Sequence, residues 1–323
     1  MVGQHVSEST GRALKKVFAR SISKRDSQKE EKAYKIKWLY QCFGITKQAY
    51  YQRIKAFNQR QMEGMTIKKL IQDFRKEQTK CGIKKMYEDL KVQLEDNGIK
   101  MGRDGLFDFA RQNDLLIKKT KLYHITTDSK HGYYKSPNLI KDLFPTRAEQ
   151  VLVADITYIR IENDWAYLAL VTDLYSKKIM GYCLADNMKT PMVLQALKMA
   201  LKNCVHNRKD MIHHSDRGIQ YCCTEYAGFA ADNNIRLSTT EKYDPYENAV
   251  AERINGILKY EYGLVKTIPT LDIAKKMVDQ AVEIYNNKRR HWSLNLKTPD
   301  FAHIDQQHDY VSYKRGVDKR VKG

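Results

Sequence analysis

Residues 151–161 read Val-Leu-Val-Ala-Asp-Ile-Thr-Tyr-Ile-Arg-Ile, a segment that is apolar on both faces. Side chains alternate along a strand, so Val151, Val153, Ile159 and Ile161 share one face while Leu152, Ala154, Ile156 and Tyr158 share the other. Such a strand must be covered above and below, as in a sheet layered between helices. Asp155 interrupts the first of these faces. An ionised carboxylate there is costly unless something positive meets it. A bound cation would meet it; so would backbone amides or a nearby arginine. Asp155 alone leaves both open.

The surrounding pattern fixes the class. Strand candidates at 151–161, 165–175 and 178–185 follow closely enough for an antiparallel meander. A helix near 190–203, a strand at 211–214, a helix near 223–233 and a short strand at 235–238 come next. A loop at 239–247 leads to helices at 248–262 and 271–287. Three strands followed by helices alternating with two more predict an α/β core of ribonuclease-H-like type: a mixed five-stranded sheet flanked by helices.

Two further acids fall where such a core could use them. Asp216 lies in His213-His214-Ser215-Asp216-Arg217-Gly218, and Glu252 follows after 35 intervening residues. With 38 acidic residues in 323 the spacing alone would arise by chance, so the argument rests on context. On a helix over 248–262, Ile254, Ile257 and Leu258 point away from Glu252, while Asn248, Asn255 and Lys259 fall on its polar side. The helix can thus pack on a sheet and present Glu252 inward, with Lys259 facing phosphate. Magnesium takes hard oxygen ligands, few of them carboxylates. Two such ions ~3.5–4 Å apart would activate the attacking oxygen and stabilise the leaving one in phosphodiester chemistry. Asp155 would bridge them, with Asp216 and Glu252 holding one each. His213 and His214 lack a third soft ligand for zinc and are read as shaping the strand end behind the acids. Asp173, a rival carboxylate, is read as a structural residue at the end of its strand.

Charge separates a front from a back. Residues 1–120 hold 27 Lys/Arg against 14 Asp/Glu, and the remainder 30 against 24, within a chain of net charge +19. A basic front and a nearly balanced back suggest a DNA-gripping module joined to a catalytic one. Apolar positions at helical spacing from Ile36 reach Gly44, a breaker; Thr46 can then cap a second helix carrying Lys47, Gln48, Tyr50 and Arg53. The pattern fits a helix-turn-helix with its second helix in a groove, or equally an ordinary helical hairpin. Further stripes (Ile67, Leu70, Ile71, Phe74; Ile83, Met86, Tyr87, Leu90; Phe107, Phe109, Leu115, Leu116) mark a second helical block, with Lys84, Lys85 and Arg103 near its turns as candidate phosphate contacts. The expected organisation is a basic flexible segment 1–30, a helix-turn-helix 31–62, a second helical DNA-binding domain 63–120, a linker 121–148, a catalytic core with C-terminal helices 149–305, and a basic tail 306–323. Six scattered cysteines without a CxxC pair argue against a zinc finger or disulfide framework and for a reducing cytosol. No apolar stretch approaches the ~18 residues of a membrane span.

With these residues in hand, the chain resembles the second-frame (OrfB) transposases of the bacterial IS3 family, whose catalytic core is of retroviral-integrase (DDE) type. The resemblance covers about 36–303. It rests on Asp155-Ile156-Thr157-Tyr158-Ile159, Asp173-Leu174-Tyr175-Ser176 and His213 through Tyr221. It continues through Asn248-Ala249-Val250-Ala251-Glu252, Leu258-Lys259-Tyr260-Glu261, Tyr285 through His291, and Thr298-Pro299. It implies Asp155, Asp216 and Glu252 as catalytic and metal-binding acids with Mg²⁺ or Mn²⁺. It also implies cleavage at element ends and strand transfer by a DNA 3′-hydroxyl, on a copy-out, paste-in route through a circular intermediate. Double-stranded DNA, both ends and target, is the implied partner, along with a homo-oligomer and a first-frame helix-turn-helix and leucine-zipper segment. A bacterial, cytoplasmic, nucleoid-associated protein is the implied setting, with no membrane involved. The chain departs from the family pattern at Leu152, where Trp is usual, at Glu247 for Asp, at Asn295 for Gly, and in the loop 241–246. Two other readings stay open: a catalytically silent DNA-binding regulator, and a structure-selective nuclease on the same fold.

Overall fold

The structure, a computed structural model, describes residues 44–117, 134–162, 164–206, 209–241 and 248–309. The segment 1–30, the first helix of the expected helix-turn-helix, residues 121–133 of the expected linker, positions 242–247 and the tail from 310 lie outside them. The chain divides into two units, 1–65 and 66–323.

Gly44 takes φ +60°, a left-handed turn open to glycine, and the chain then enters helix α1 (Lys47–Glu77). Thr46 Oγ1 accepts the Ala49 N–H at 3.1 Å, the cap its sequence position predicts. The helix is continuous through residues 62 and 63, where the sequence suggests a boundary. In the second unit its C-terminal stretch packs Ile67 and Ile71 against Ile83, Met86 and Leu90 of α2 (Ile83–Asp96) and Leu106 of α3 (Arg103–Gln112). The stripes at helical spacing are therefore the core of this block.

The sheet runs β3-β2-β1-β4-β5. Strands β1 (Val151–Ile161), β2 (Asp164–Asp173) and β3 (Ile179–Ala185) pair antiparallel, whereas β4 (Ile212–Ser215) and β5 (Arg236–Thr239) add parallel on β1's other side. This is the ribonuclease-H-like order expected from the sequence. One face is covered by α4 (Thr190–Lys202), the single turn α5 (Ile219–Cys222) and α6 (Thr224–Asp232), which meet Leu152, Ala154, Ala169 and Val171. The other is covered by α7 (Ala249–Glu261) and α8 (Leu271–Asn287), which meet Val151, Val153, Ile159 and Leu168. Both faces of β1 are thus buried, as its composition demands. Leu152, with no exposed surface, fills the place where a Trp is usual.

Three short elements were not visible in the sequence: α5, a 3₁₀ turn at Trp292–Leu294, and α9 (Pro299–Asp305). Three to seven residues are too few for a helical period to show. Local chemistry still marks α9, since Thr298 Oγ1 accepts the Phe301 N–H at 3.4 Å and Pro299 opens the helix. Asn295 closes the 3₁₀ turn at φ +51°, a conformation that asparagine tolerates and that accounts for its standing where Gly is usual.

Gly181 on β3 is where the α4 layer comes closest. A Cβ there would lie 2.1 Å from Ala196 O and 2.5 Å from Ala200 N, both helix backbone. Gly181→Ala must push α4 off the sheet. We expect a loss of about 1–3 kcal/mol or more in urea unfolding, against a gain of up to about 1 kcal/mol for Gly228→Ala, an exposed position inside α6 where no atom lies within 4 Å.

Candidate active site

The strand register brings the first two acids together. Val153 pairs with His214 in the parallel β1–β4 ladder. Asp155 lies two residues further along β1 and Asp216 two residues beyond His214, close enough for Asp216's charge to raise the Asp155 carboxyl. Asp216 is the first residue beyond β4, and its Oδ1 accepts the Gly218 N–H at 3.0 Å. A Cβ on Gly218 would sit 3.0 Å from that same oxygen, so glycine is what lets the turn close on the carboxylate.

Helix α7 supplies the third acid by lying along β1. Asn248 Nδ2 donates to Ala154 O at 2.9 Å, Asn255 Nδ2 to Asp155 Oδ2 at 2.7 Å, and Lys259 Nζ to Thr157 Oγ1 at 3.4 Å. Glu252 lies one turn from Asn248 and one from Asn255, hence on the same face, over Asp155.

Electrostatics report the crowding. Burial, then Asp216, push the Asp155 carboxyl up to about 7, with Glu252 adding to the rise and hydrogen bonds from Asn255 and the Ile156 N–H opposing it. Partial burial and Asp216 likewise raise Glu252 above the ordinary glutamate range. Lys259, lowered by burial, feels Asp155 as its compensating charge. Three carboxylates held against mutual repulsion fit a hard divalent cation, whose charge would remove the penalty. Among the described residues, Asn248 Oδ1 and Asn255 Oδ1 are also buried without a hydrogen-bond partner, acceptors that metal-bound water would satisfy.

The other expected residues are placed as follows. His214, paired with Val153, is on Asp155's side of the sheet and meets Ser238 Oγ at 2.8 Å. His213 faces the opposite layer, its Nε2 2.7 Å from Tyr226 Oη, and burial lowers it to about 3, so it is neutral. Asp173 accepts the N–H groups of Glu149 at 3.1 Å and Tyr175 at 3.0 Å, a structural use at the far end of β2. Asn248 is 5% exposed and turned to the sheet. On α1, Lys47, Gln48 and Arg53 are exposed beside the capping Thr46, whereas Tyr50 is buried. Lys84 and Arg103 are exposed, near Asp104 at 3.7 and 3.5 Å. Lys85 is half-buried and lowered by burial and by Arg289. The sequence placed Asn255 beside Glu252 but did not reveal its bond to Asp155; the i+3 spacing from Glu252 was the available signal.

One group with ligand atoms within 4.8 Å of one another, Glu149, His206 and His303, lies apart from these acids. Glu149 precedes Asp155 by six residues, roughly 20 Å of strand. Its carboxylate already accepts from Val205 N at 2.7 Å, His206 N at 2.9 Å and His303 Nε2 at 3.1 Å, and His303 Nδ1 meets Ser176 Oγ at 3.0 Å. These hydrogen bonds fasten α9 and the segment after α4 to the start of β1.

Two models described as "Integrase core domain" match residues 145–245 and 233–299. A protein of Shigella sonnei, "Insertion element IS600 uncharacterized 31 kDa protein", is 31% identical over 264 residues, covering 80% of this chain and 95% of its own length. The chain belongs to the IS3-family insertion-sequence transposases. "Transposase InsF for insertion sequence IS3A" of Escherichia coli (strain K12) is 26% identical over 281 residues, 85% of this chain and 96% of its own. Among solved structures, the HTLV-2 integrase catalytic core in complex with magnesium matches 49% of this chain and 97% of its own, at 17% identity and a TM-score of 0.39. The transposase is thus an enzyme of the integrase-core, DDE class acting on DNA.

Its acids have a measurable signature. Asp155's folded pKa of about 7 lies above its unfolded value, so between pH ~4 and ~7 the native state keeps a proton that the unfolded chain has lost. Metal-free stability therefore falls as pH rises through that window, and Asp173, raised to about 6, adds to the fall with the same sign. In EDTA, Asp155→Asn should melt higher than wild type at pH 8 and lose less stability between pH 4 and 8. Differential scanning calorimetry across that range checks it, and equal slopes would refute it.

Proposed function

We propose that the transposase cleaves the ends of its element and joins the freed 3′-hydroxyl to DNA at a metal centre built from Asp155, Asp216 and Glu252. The observation that supports this reading is the mutual electrostatic coupling of the three acids, with Asp216 and Glu252 both raising Asp155 and α7 hydrogen-bonded along β1. In this reading the centre would take two Mg²⁺ ions, or Mn²⁺ in their place, with Asp155, Asp216 and Glu252 as the residues that would hold them. When bound, the cations activate the attacking oxygen and neutralise charge on the leaving one.

The chain's own residues do the rest. Asn255 holds Asp155 Oδ2 and so fixes which oxygen turns toward substrate. Gly218 N–H does the same for Asp216. Lys259, at the same edge, is positioned to meet a DNA phosphate once the acids are neutralised. His214 supports the strand end from Asp155's side. Water is the first nucleophile and a DNA 3′-hydroxyl the second, with no covalent enzyme intermediate. Three carboxylates held close at a cost in stability would be useless to a silent DNA-binding regulator.

The organisation proposed around this centre is a helix-turn-helix at 31–62 contacting DNA through Lys47, Gln48 and Arg53, and a second helical domain at 63–120 with Lys84 and Arg103 toward phosphate. Two ends must be brought together, so a homo-oligomer on DNA is proposed, with a first-frame helix-turn-helix and leucine-zipper segment as a further partner. No helix among the described residues is long and apolar enough to cross a membrane; a cytoplasmic, DNA-associated location is proposed on the substrate.

Incubation with an element-end duplex and Mg²⁺ tests the reading. Strand-transfer product is expected from wild type, and none above about a thousandth of it from Asp155→Asn, Asp216→Asn or Glu252→Gln, a loss of several kcal/mol of charge stabilisation. Nicking of any duplex without joining would instead favour a general nuclease. Asn255→Ala should bind ends normally but cleave about 10–100-fold less, as for loss of a residue that orients a metal ligand.

A further inference from the structure

The segment Tyr285 to His291 is a marked sequence motif that the catalytic reading leaves unused. It straddles the C-terminal end of α8, and its side chains reach three separate parts of the second unit. Asn286 meets the edge of the sheet, its Oδ1 accepting the Ile179 N–H and its Nδ2 donating to Ile179 O, both at 2.9 Å. Arg289, 4% exposed, donates to both carboxylate oxygens of Glu261 at 2.7 and 2.8 Å. Glu261 ends α7, the helix that carries Glu252 and Lys259.

The remaining residues reach the helical block. Arg290 Nε donates to Asp89 of α2 at 2.7 Å, with both side chains about one-third exposed. Lys288 Nζ meets Glu77, the last residue of α1, at 2.7 Å, and the Lys288 carbonyl accepts from Gln78 Nε2 at 3.3 Å. Thr79 Oγ1 donates to the carbonyl of Glu261 itself. Residues 77–89 of the second unit are therefore tied to the C-terminal ends of α7 and α8 by directional bonds, the ion pairs among them charge-assisted, that fix orientation more than they add stability.

We propose that this seam is a coupling joint: DNA held by the α1–α3 block is registered to the catalytic acids through Asp89–Arg290 and Glu261–Arg289, with Arg290 and Asp89 as positioning residues. The proposal rests on the function proposed above, but it makes a separate demand. A bidentate pair buried at one end of α7 and a salt bridge from the next residue to α2 make a short rigid path from the helical block to Glu252's helix. Arg289 holds the end of α7 and Arg290 holds α2, and Arg289 also lies close enough to Lys85 of α2 to lower it, so the two arginines bind both sides of one seam.

The test is a charge exchange at the partly exposed pair, which spares the buried one. Asp89→Arg, Arg290→Asp and the double exchange are compared with wild type in the full chain. The readouts are circular dichroism, binding to an element-end duplex, amide hydrogen exchange with and without that duplex, and end cleavage in Mg²⁺. For wild type, DNA is expected to slow exchange in α2, α3 and α7 together. Each single variant should remain folded, bind ends within about threefold, keep protection in α2 and α3, lose it in α7, and cleave at least tenfold less or at shifted positions. The double exchange should restore α7 protection and cleavage to within about threefold. Protection of α7 that is absent in wild type, or unchanged in both single variants, overturns the joint. So does a double variant that folds and binds yet stays uncoupled. Because exchange needs no catalysis, a wild type that couples but never cleaves would sink the proposed function and leave the joint standing.

Discussion

A carboxylate seated in the middle of a strand buried on both faces is the constraint to which this structure is arranged. The Asp155 carboxyl is raised to about 7 by burial and by the nearby charge of Asp216. Without the parallel addition of β4 to β1, Asp216 would not arrive there; without α7 crossing β1, Glu252 would not. The apolar layers on either side supply the rigidity that keeps three like charges from relaxing apart. Hydrogen bonds from Asn255 and the Ile156 N–H offset the rise at Asp155 only in part, so the repulsion among the acids persists in the fold.

Much of this was legible in the chain. The two-faced apolar strand predicted a covered sheet, and the closely spaced strands predicted the meander. The wheel of α7 put Asn248, Asn255 and Lys259 on Glu252's side, where all three touch β1. Helix 271–287 was found with its observed ends. These features are periodic or local, and periodicity is what a sequence displays. Asn255's bond to Asp155 spans a hundred residues, and no local pattern encodes which of several polar side chains will meet a distant acid. The two histidines show the limit most plainly. They are adjacent and alike in sequence, yet alternation along β4 sends His214 to the catalytic side and His213 into the opposite layer against Tyr226.

The peripheral ion pairs illustrate a second limit. Arg289 and Arg290 look like surface charge in a basic chain, and Lys85 like a phosphate contact. In the fold, Arg289 is buried on Glu261 and Lys85 is drawn into the same seam, because α2 packs where α7 and α8 end. Whether a basic side chain meets solvent, DNA or another helix depends on docking between elements far apart in the chain. Composition gives the net positive charge of the front but not its distribution between these uses.

Asn286 carries a different implication. β3 is an outer strand of the sheet, and an outer strand normally offers a free row of amides and carbonyls to any passing chain. At Ile179 that row is occupied, since the asparagine side chain imitates a neighbouring strand and takes both backbone groups. A second copy of the protein therefore cannot extend the sheet through this position. The plug covers the Ile179 end of β3 and leaves the opposite outer strand, β5, untouched, so strand addition is hindered at one corner of the sheet rather than along both margins.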